Sequence, residues 1–476
     1  MISYVLAAPD PFQYPLVAGH ALSQTGFDDG VRIVQEAARF VVASPDVFVA
    51  FVLWQLALLY TVPVLFWDFE VGVYWLRNWQ NRRSRDTDVE WGLDAVQVRI
   101  VTIDNADVVQ QTVDALPDGI ADVVVIAERP IEITGATVLA VPPEFECAAT
   151  HKGRAVEWAR RHHPTDREYV LYMDEDTDAT DLSGIPSNAD IVQFRERPSR
   201  SGGFVPYLAE IHRIGFNVEQ RSFPFFRLPF YAWGGGIAIR SSLEERVTWD
   251  TETIVEDSVF AWRAVLEWDA TVDVVDVYLS NQAPPSVWAM IKQRRRWLTG
   301  TRQQRGLLPP QYQAMYQIRD LGWALSTFGP VLWLLSGLSY VGLLDVQLLP
   351  VFFPDAYVVL TIGLLAHVYV WSIAGLITYR PPVSVSVLLL LFTPIIVTVH
   401  SIGALYGLLR PARGFAVTRK VVRGGEGRRA DESAGDATEA ASPGSDEPAE
   451  AAETAEQPPV PGSGSGRTVN NSGEEP

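Results

Sequence analysis

Cysteine and lysine are almost missing from this sequence. Its single cysteine, Cys147, excludes an intrachain disulfide and a cysteine-built zinc site, so stability must come from packing and from a membrane. The only lysines are Lys152, Lys292 and Lys420, against 35 arginines, and the formal net charge is −19. That charge repels nucleic acid and argues for no nucleic-acid partner. An acidic, lysine-poor chain has the composition of a salt-adapted protein, which makes each remaining lysine conspicuous. The opening MISYVLAAPD has no Lys or Arg and reaches Asp10 before any long apolar run, so a cleaved signal peptide is not expected. From 430 to 476 there is no aromatic, Leu, Ile or Met residue, and 411–476 reads as a disordered acidic tail.

Against these absences stands a surplus of long apolar runs. After an N-terminal segment, 1–46, residues 47–67, 322–344, 356–378 and 383–409 each approach the roughly 20 residues that a bilayer requires, which predicts four membrane segments. The basic run RNWQNRRSR at 77–85 places the following domain in the cytoplasm of a multi-pass cell-membrane protein. Three later spans would then leave the C-terminus outside, whereas Arg410, Arg413, Arg419 and Lys420 favour the cytoplasm. One segment that does not cross removes the conflict, and Pro394 makes 383–409 the suspect. Residues 93–305 alternate apolar strands (96–103, 121–127, 137–142, 169–173) with helical stretches such as 151–162, the pattern of an α/β domain with a largely parallel sheet. Ligands of such sheets bind beyond the carboxyl ends of the strands.

Three local signals carry chemistry. In YVLYMDEDTD a strand runs into Asp174, Glu175 and Asp176; alternation would turn Asp174 and Asp176 one way and Glu175 the other. Two carboxylates suit a hard cation that borrows its other ligands from phosphate, although a polar cap on a buried strand looks the same. In TIVEDSVFAWRA, Glu256 and Asp257 stand at a helix start, as a cap or as a catalytic carboxylate. In IKQRRRWLTG, Gln293, Arg296 and Trp297 share a helical face at i, i+3 and i+4. Arginine there can grip phosphate and tryptophan can stack on a sugar; the positive-inside rule explains the arginines but not the Gln and Trp.

Together, in this order and at these separations, the three signals resemble family 2 glycosyltransferases related to cellulose, chitin and hyaluronan synthases. FYAWGGGIAIR, VEDSVFAWRA and QRRRWLTG look closest to the Egghead-type β-mannosyltransferase branch. The resemblance implies a GT-A-like α/β domain, with a mostly parallel sheet and flanking helices, inserted between transmembrane helices. It implies an inverting hexosyl transfer from a UDP- or GDP-linked sugar to a lipid-linked or glycan acceptor, with Mg2+ or Mn2+. Asp174 and Asp176 would hold the metal, and Asp257 would be the general base. Asp104 and Glu128 would lie near base and ribose, and Lys152 near the diphosphate. Glu256, Gln293, Arg296 and Trp297 would bind substrate, with Trp233 beside three glycines that let backbone approach a sugar. GFAVTRK at 414–420 is similar to the family's gating loop and would account for Lys420. The rival reading is a non-catalytic membrane scaffold, or degenerate transferase, that recruits partners through its acidic tail. A transporter is disfavoured because His367 and His400 are nearly the only ionisable residues in the apolar runs.

Overall fold

The computed structural model describes residues 43–80, 89–120, 122–345, 348–412 and 420–422; most of the expected tail and of the 414–420 motif lies outside them. A long helix, α1 (Pro45–Gln80), leads into the α/β part. There β1 (Val96–Thr102), α2 (Ala106–Asp114), β2 (Asp122–Ala127), β3 (Thr137–Ala140), α3 (Lys152–His162) and β4 (Tyr169–Asp174) follow one another. Next come β5 (Ile191–Ser199), α4 (Phe204–Phe216), β6 (Ile237–Arg240), α5 (Glu256–Trp268), β7 (Val272–Gln282) and α6 (Val287–Gln304). Four apolar helices close the chain: α7 (Pro310–Leu325), α8 (Gly329–Tyr340), α9 (Pro354–Tyr379) and α10 (Val383–Leu409).

The seven strands form one sheet in the order β3-β2-β1-β4-β6-β5-β7. Only β6 runs against its neighbours, so the carboxyl ends of the other six strands share one edge. Helices on both faces explain why β4 reads as an unbroken apolar run: Tyr169 to Met173 are all buried. One polar intrusion, Arg99 of β1, is fully buried but satisfied by Gln97, Tyr172, Glu244 and the His163 carbonyl.

Glycines dock the apolar helices onto the α/β part. Gly215 of α4 and Gly375 of α9 cross so closely that a Cβ on either would strike the other helix's backbone. Gly403 and Gly407 of α10 similarly admit the α6 backbone at Ile291 and Arg295. Arg295 then donates to the Arg410 carbonyl at 2.8 Å and the Pro411 carbonyl at 3.0 Å, tying the two helices at the end of α10. One face of α6 is thereby fixed against α10, and its opposite face is left for the cavity.

Three helices are long and apolar enough to cross a membrane: Pro45–Tyr74 within α1, α9 and α10. The stretch 322–344 is not one helix, because α7 and α8 meet at a 52° bend over residues 326–328. Residues 383–409, suspected of breaking at Pro394, instead stay helical through it. Residues 420–422 lie against the sheet edge: Val421 N donates to Gln282 Oε1 at 2.9 Å, and Gln282 Nε2 donates to the Val421 carbonyl at 2.6 Å. The chain beyond α10 therefore returns to the α/β part.

Candidate active site

A cavity of about 770 Å³ opens at the carboxyl edge of the sheet and extends between the apolar helices. The edge supplies Thr102 at the end of β1, Glu128 after β2, Asp174 at the end of β4 with Glu175 and Asp176 after it, Trp233 and Gly234 before the reversed β6, and Gln282 at the end of β7. This is where a largely parallel sheet offers its strand ends to a ligand.

Lys152 is the hub. Its Nζ lies 2.9 Å from Asp174 Oδ1, 3.6 Å from Asp257 and 3.9 Å from Glu256, and it donates to the Gly234 carbonyl at 3.3 Å. Burial opposes its charge, but the three carboxylates outweigh burial and hold its pKa above the ordinary lysine range. Asp174 is disfavoured by burial as well, yet Lys152 and Lys420 keep its carboxyl below the usual range. Asp257 behaves differently: burial dominates, Glu256 and Asp174 add to it, and its pKa is pushed up to about 7 despite Lys152. A carboxylate poised there is suited to accepting a proton near neutral pH.

Helix α5 starts at Glu256, and its N-cap, Val255, makes no side-chain cap bond. The carboxylate of Asp257 lies instead in the cavity, pressed on Gly234, where any Cβ would collide with it. The three-glycine run thus serves its own neighbours: Asp257 needs Gly234, and the Trp233 ring lies where Cβ atoms on Gly235 and Gly236 would fall. Trp233 packs partly against the core, and both it and Gly234 also line the cavity.

The alternation expected after β4 needs correction too. The strand ends at Asp174, and a turn carries Glu175 and Asp176. Glu175 does face away from Lys152, accepting from Thr102 Oγ1 at 2.6 Å, but it lines the cavity as well. Asp176 is buried, with Oδ2 accepting from the Gln282 amide at 2.7 Å and from Lys420 Nζ at 2.7 Å. Among the described residues no group of three His, Cys, Asp or Glu side chains could hold a metal by itself. The Asp174–Asp176 pair fits a hard cation only if a diphosphate and water supply the remaining oxygens.

Gln293, Arg296 and Trp297 all line the cavity, on the α6 face opposite α10. Burial lowers the Arg296 pKa against the pull of Glu256, Asp174 and Asp257. Glu128 also lines the cavity and pairs with Arg154 at 2.6 Å. Asp104 does not; it pairs with the exposed Arg129 at 2.6 Å and borders an adjoining cavity with Lys420 and Glu175. Two of the three lysines are thus at the site, while Lys292 is exposed beside Trp288. His367 packs on Trp67, whereas His400 lines the cavity. Sequence reading missed the buried Arg294, paired with Glu210, and Arg213, bound by Glu196 and Glu210 at 2.6 Å each. A charged pair on an amphipathic helix carries no signal that separates burial from solvation.

Residues 169–399 match the family described as glycosyl transferase family group 2. Solved structures that it is similar to include a mannosyltransferase from Pyrobaculum calidifontis in complex with GDP-Man and Mn2+. That likeness has 15% identity and TM-score 0.39, over 68% of this chain and 99% of that one. Another is glucosyl-3-phosphoglycerate synthase from Mycobacterium tuberculosis with Mn2+ and UDP-glucose, at 14% identity and TM-score 0.31, over 46% of this chain and 82% of that one. No curated protein matches the chain.

Proposed function

We propose that the chain is a membrane-embedded, inverting hexosyltransferase that moves a sugar from a UDP- or GDP-linked donor to a lipid-linked or glycan acceptor. The observation that carries this reading is the Lys152 hub, where Asp174, Glu256 and Asp257 converge on one ammonium in the cavity that also holds Arg296 and Trp297. Asp174 and Asp176 would hold Mg2+ or Mn2+, which when bound neutralises charge developing on the diphosphate. Lys152, Arg296 and Lys420 add positive charge at the same end, where the leaving group needs it. Glu128, and more remotely Asp104, would meet the nucleoside. Gln293 and Trp297 would hold the acceptor across from it, with Glu256 and Trp233 shaping the floor.

The acceptor hydroxyl oxygen attacks the anomeric carbon, its proton passes to the Asp257 carboxylate, and the bond to the diphosphate oxygen breaks with its electron pair leaving on the nucleotide. A single displacement inverts the anomeric centre, so an α-linked donor gives a β product, as in the Egghead-type branch that the sequence resembles. The basic run at 77–85 and the position of Lys420 support a cytoplasmic catalytic domain with α1, α9 and α10 crossing the membrane. The test is nucleotide-sugar binding to purified protein with and without Mg2+ or Mn2+. Metal-dependent binding of a UDP- or GDP-sugar is expected; none from any common donor would favour the scaffold reading.

A further inference from the structure

Where β5 and β7 run on together, three arginines share one carboxylate. Along β5, Glu196 turns toward the cavity, and strand alternation puts Arg195 and Arg197 on the opposite side, outside it. Arg195, only 2% exposed, donates to Asp276 Oδ1 at 3.1 Å and to the Tyr278 hydroxyl. Arg221, from the 3₁₀ segment Glu219–Phe225, donates to the same Asp276 oxygen and to the Tyr74 hydroxyl at 2.8 Å. Arg197 stacks on the Tyr278 ring, which Arg195 also covers, at 4.1 and 4.7 Å from guanidinium carbon to ring centre. It makes no hydrogen bond or ion pair among the described residues. The Nε of each of the three arginines is buried without a partner among the same residues.

Charge shows what is missing. Three guanidinium groups less one carboxylate leave two positive charges unmatched, in a chain whose net charge is −19. The neighbouring carboxylates are already taken, Glu196 by Arg213 and both Glu70 and Glu219 by Arg319. The Tyr278 ring offsets only part of the surplus. Like charges held this close repel, and partial burial limits how far salt can screen them. An anion that accepts from several guanidinium forks at once relieves the repulsion, and phosphate has that geometry.

Tyr74 fixes the source of the anion. It ends Pro45–Tyr74, the apolar stretch of α1 that is long enough to cross a membrane, and the basic run 77–85 follows at once. At the end of a span the phosphates are those of lipid headgroups, and basic pockets there take anionic lipids. Resting on the membrane reading of α1, we propose that Arg195, Arg197 and Arg221 form a binding site for the phosphate of an anionic membrane lipid, separate from the candidate active site. Arg197 supplies the open donors, while Asp276, Tyr278 and Tyr74 hold Arg195 and Arg221 in place. A bound phosphate ties the end of α1 to the sheet at the headgroup layer.

The experiment uses the full chain in neutral detergent micelles, with fluorescently labelled dioctanoyl phosphatidylglycerol as probe. Phosphatidylcholine of equal chain length, whose choline cancels the phosphate charge, is the comparison, and inorganic phosphate is the competitor. Phosphatidylglycerol should bind at least about tenfold more tightly than phosphatidylcholine, the margin that one charge-assisted hydrogen bond gives. Arg197→Gln should weaken phosphatidylglycerol binding by roughly 10- to 100-fold, and Lys292→Ala, outside the cluster, by no more than about twofold. Because Arg197 makes no bond of its own, Arg197→Gln should melt no lower than wild type without phosphatidylglycerol, and should lose the rise in midpoint that this lipid gives wild type. Equal affinity for the two lipids overturns the inference, as does unchanged phosphatidylglycerol affinity in Arg197→Gln. Displacement by inorganic phosphate at the lipid's own concentration overturns it too, since the site would then be one for a free anion. So does a variant that melts lower both with and without the lipid, because Arg197 would then be a structural residue. A chain that stays in solution without detergent would overturn the membrane reading instead, before any lipid is added.

Discussion

The two halves of the cavity use positive charge in opposite ways. At the sheet edge, Lys152 and Lys420 rest on Asp174 and Asp176, carboxylates that a cation and a diphosphate can take over. Between the apolar helices, Arg213 and Arg319 are each paired with two glutamates. In the proposed reading, exchangeable pairs mark the donor end and doubly paired arginines a framework. The same residue chemistry thus serves binding in one place and folding in the other, and the difference lies in how many partners each cation already has.

The comparison breaks first at Asp176. Asp176→Asn removes a carboxylate that the donor end cannot replace, and transfer should fall below detection with donor affinity also reduced. Glu175→Gln, which loses only part of its contact with Thr102, should retain most activity; equal losses would mean that the two carboxylates do the same work. On the framework side, Arg319→Met leaves Glu70 and Glu219 buried without their shared cation, which should cost about 3–5 kcal/mol of stability. A thermal melt of the purified protein reads this, and an unchanged midpoint would show that the clamp is not structural.

The pH dependence sharpens the contrast further. Asp257 can accept a proton only as the carboxylate, and its pKa is raised to about 7. The acid limb of kcat/KM should therefore bend near pH 7 and fall about tenfold per unit below it. A flat profile down to pH 5 would contradict that assignment. The smallest effect is expected at Lys292, which is exposed and outside the cavity. Lys292→Ala should leave turnover within about twofold, as surface substitutions usually do.

Much of the cluster around Lys152 was legible because its signals are local. A strand that ends in carboxylates, an acidic pair at a helix start and a Gln-Arg-Trp face each follow from neighbouring residues, and lysine scarcity drew attention to Lys152 and Lys420. What could not be read depends on tertiary packing. That Asp176 reaches Gln282 across the chain follows from a turn which strand alternation does not foresee. The bend at 326–328 hides inside a continuous apolar run, while Pro394, the visible breaker, sits in an intact helix. Tyr316, Asp320 and Trp323, which line the cavity, look like the approach to a membrane helix until α10 is packed beside them.

The central claim, that Asp257 is the base of a glycosyl transfer, is tested most directly by Asp257→Asn. Donor affinity and transfer rate should be measured side by side in the same preparation, with Mg2+ or Mn2+ present. The account predicts donor affinity within about threefold of wild type and transfer lower by a factor on the order of 10² to 10⁴. Near-normal transfer, or a loss of donor binding as severe as that of Asp176→Asn, would contradict it.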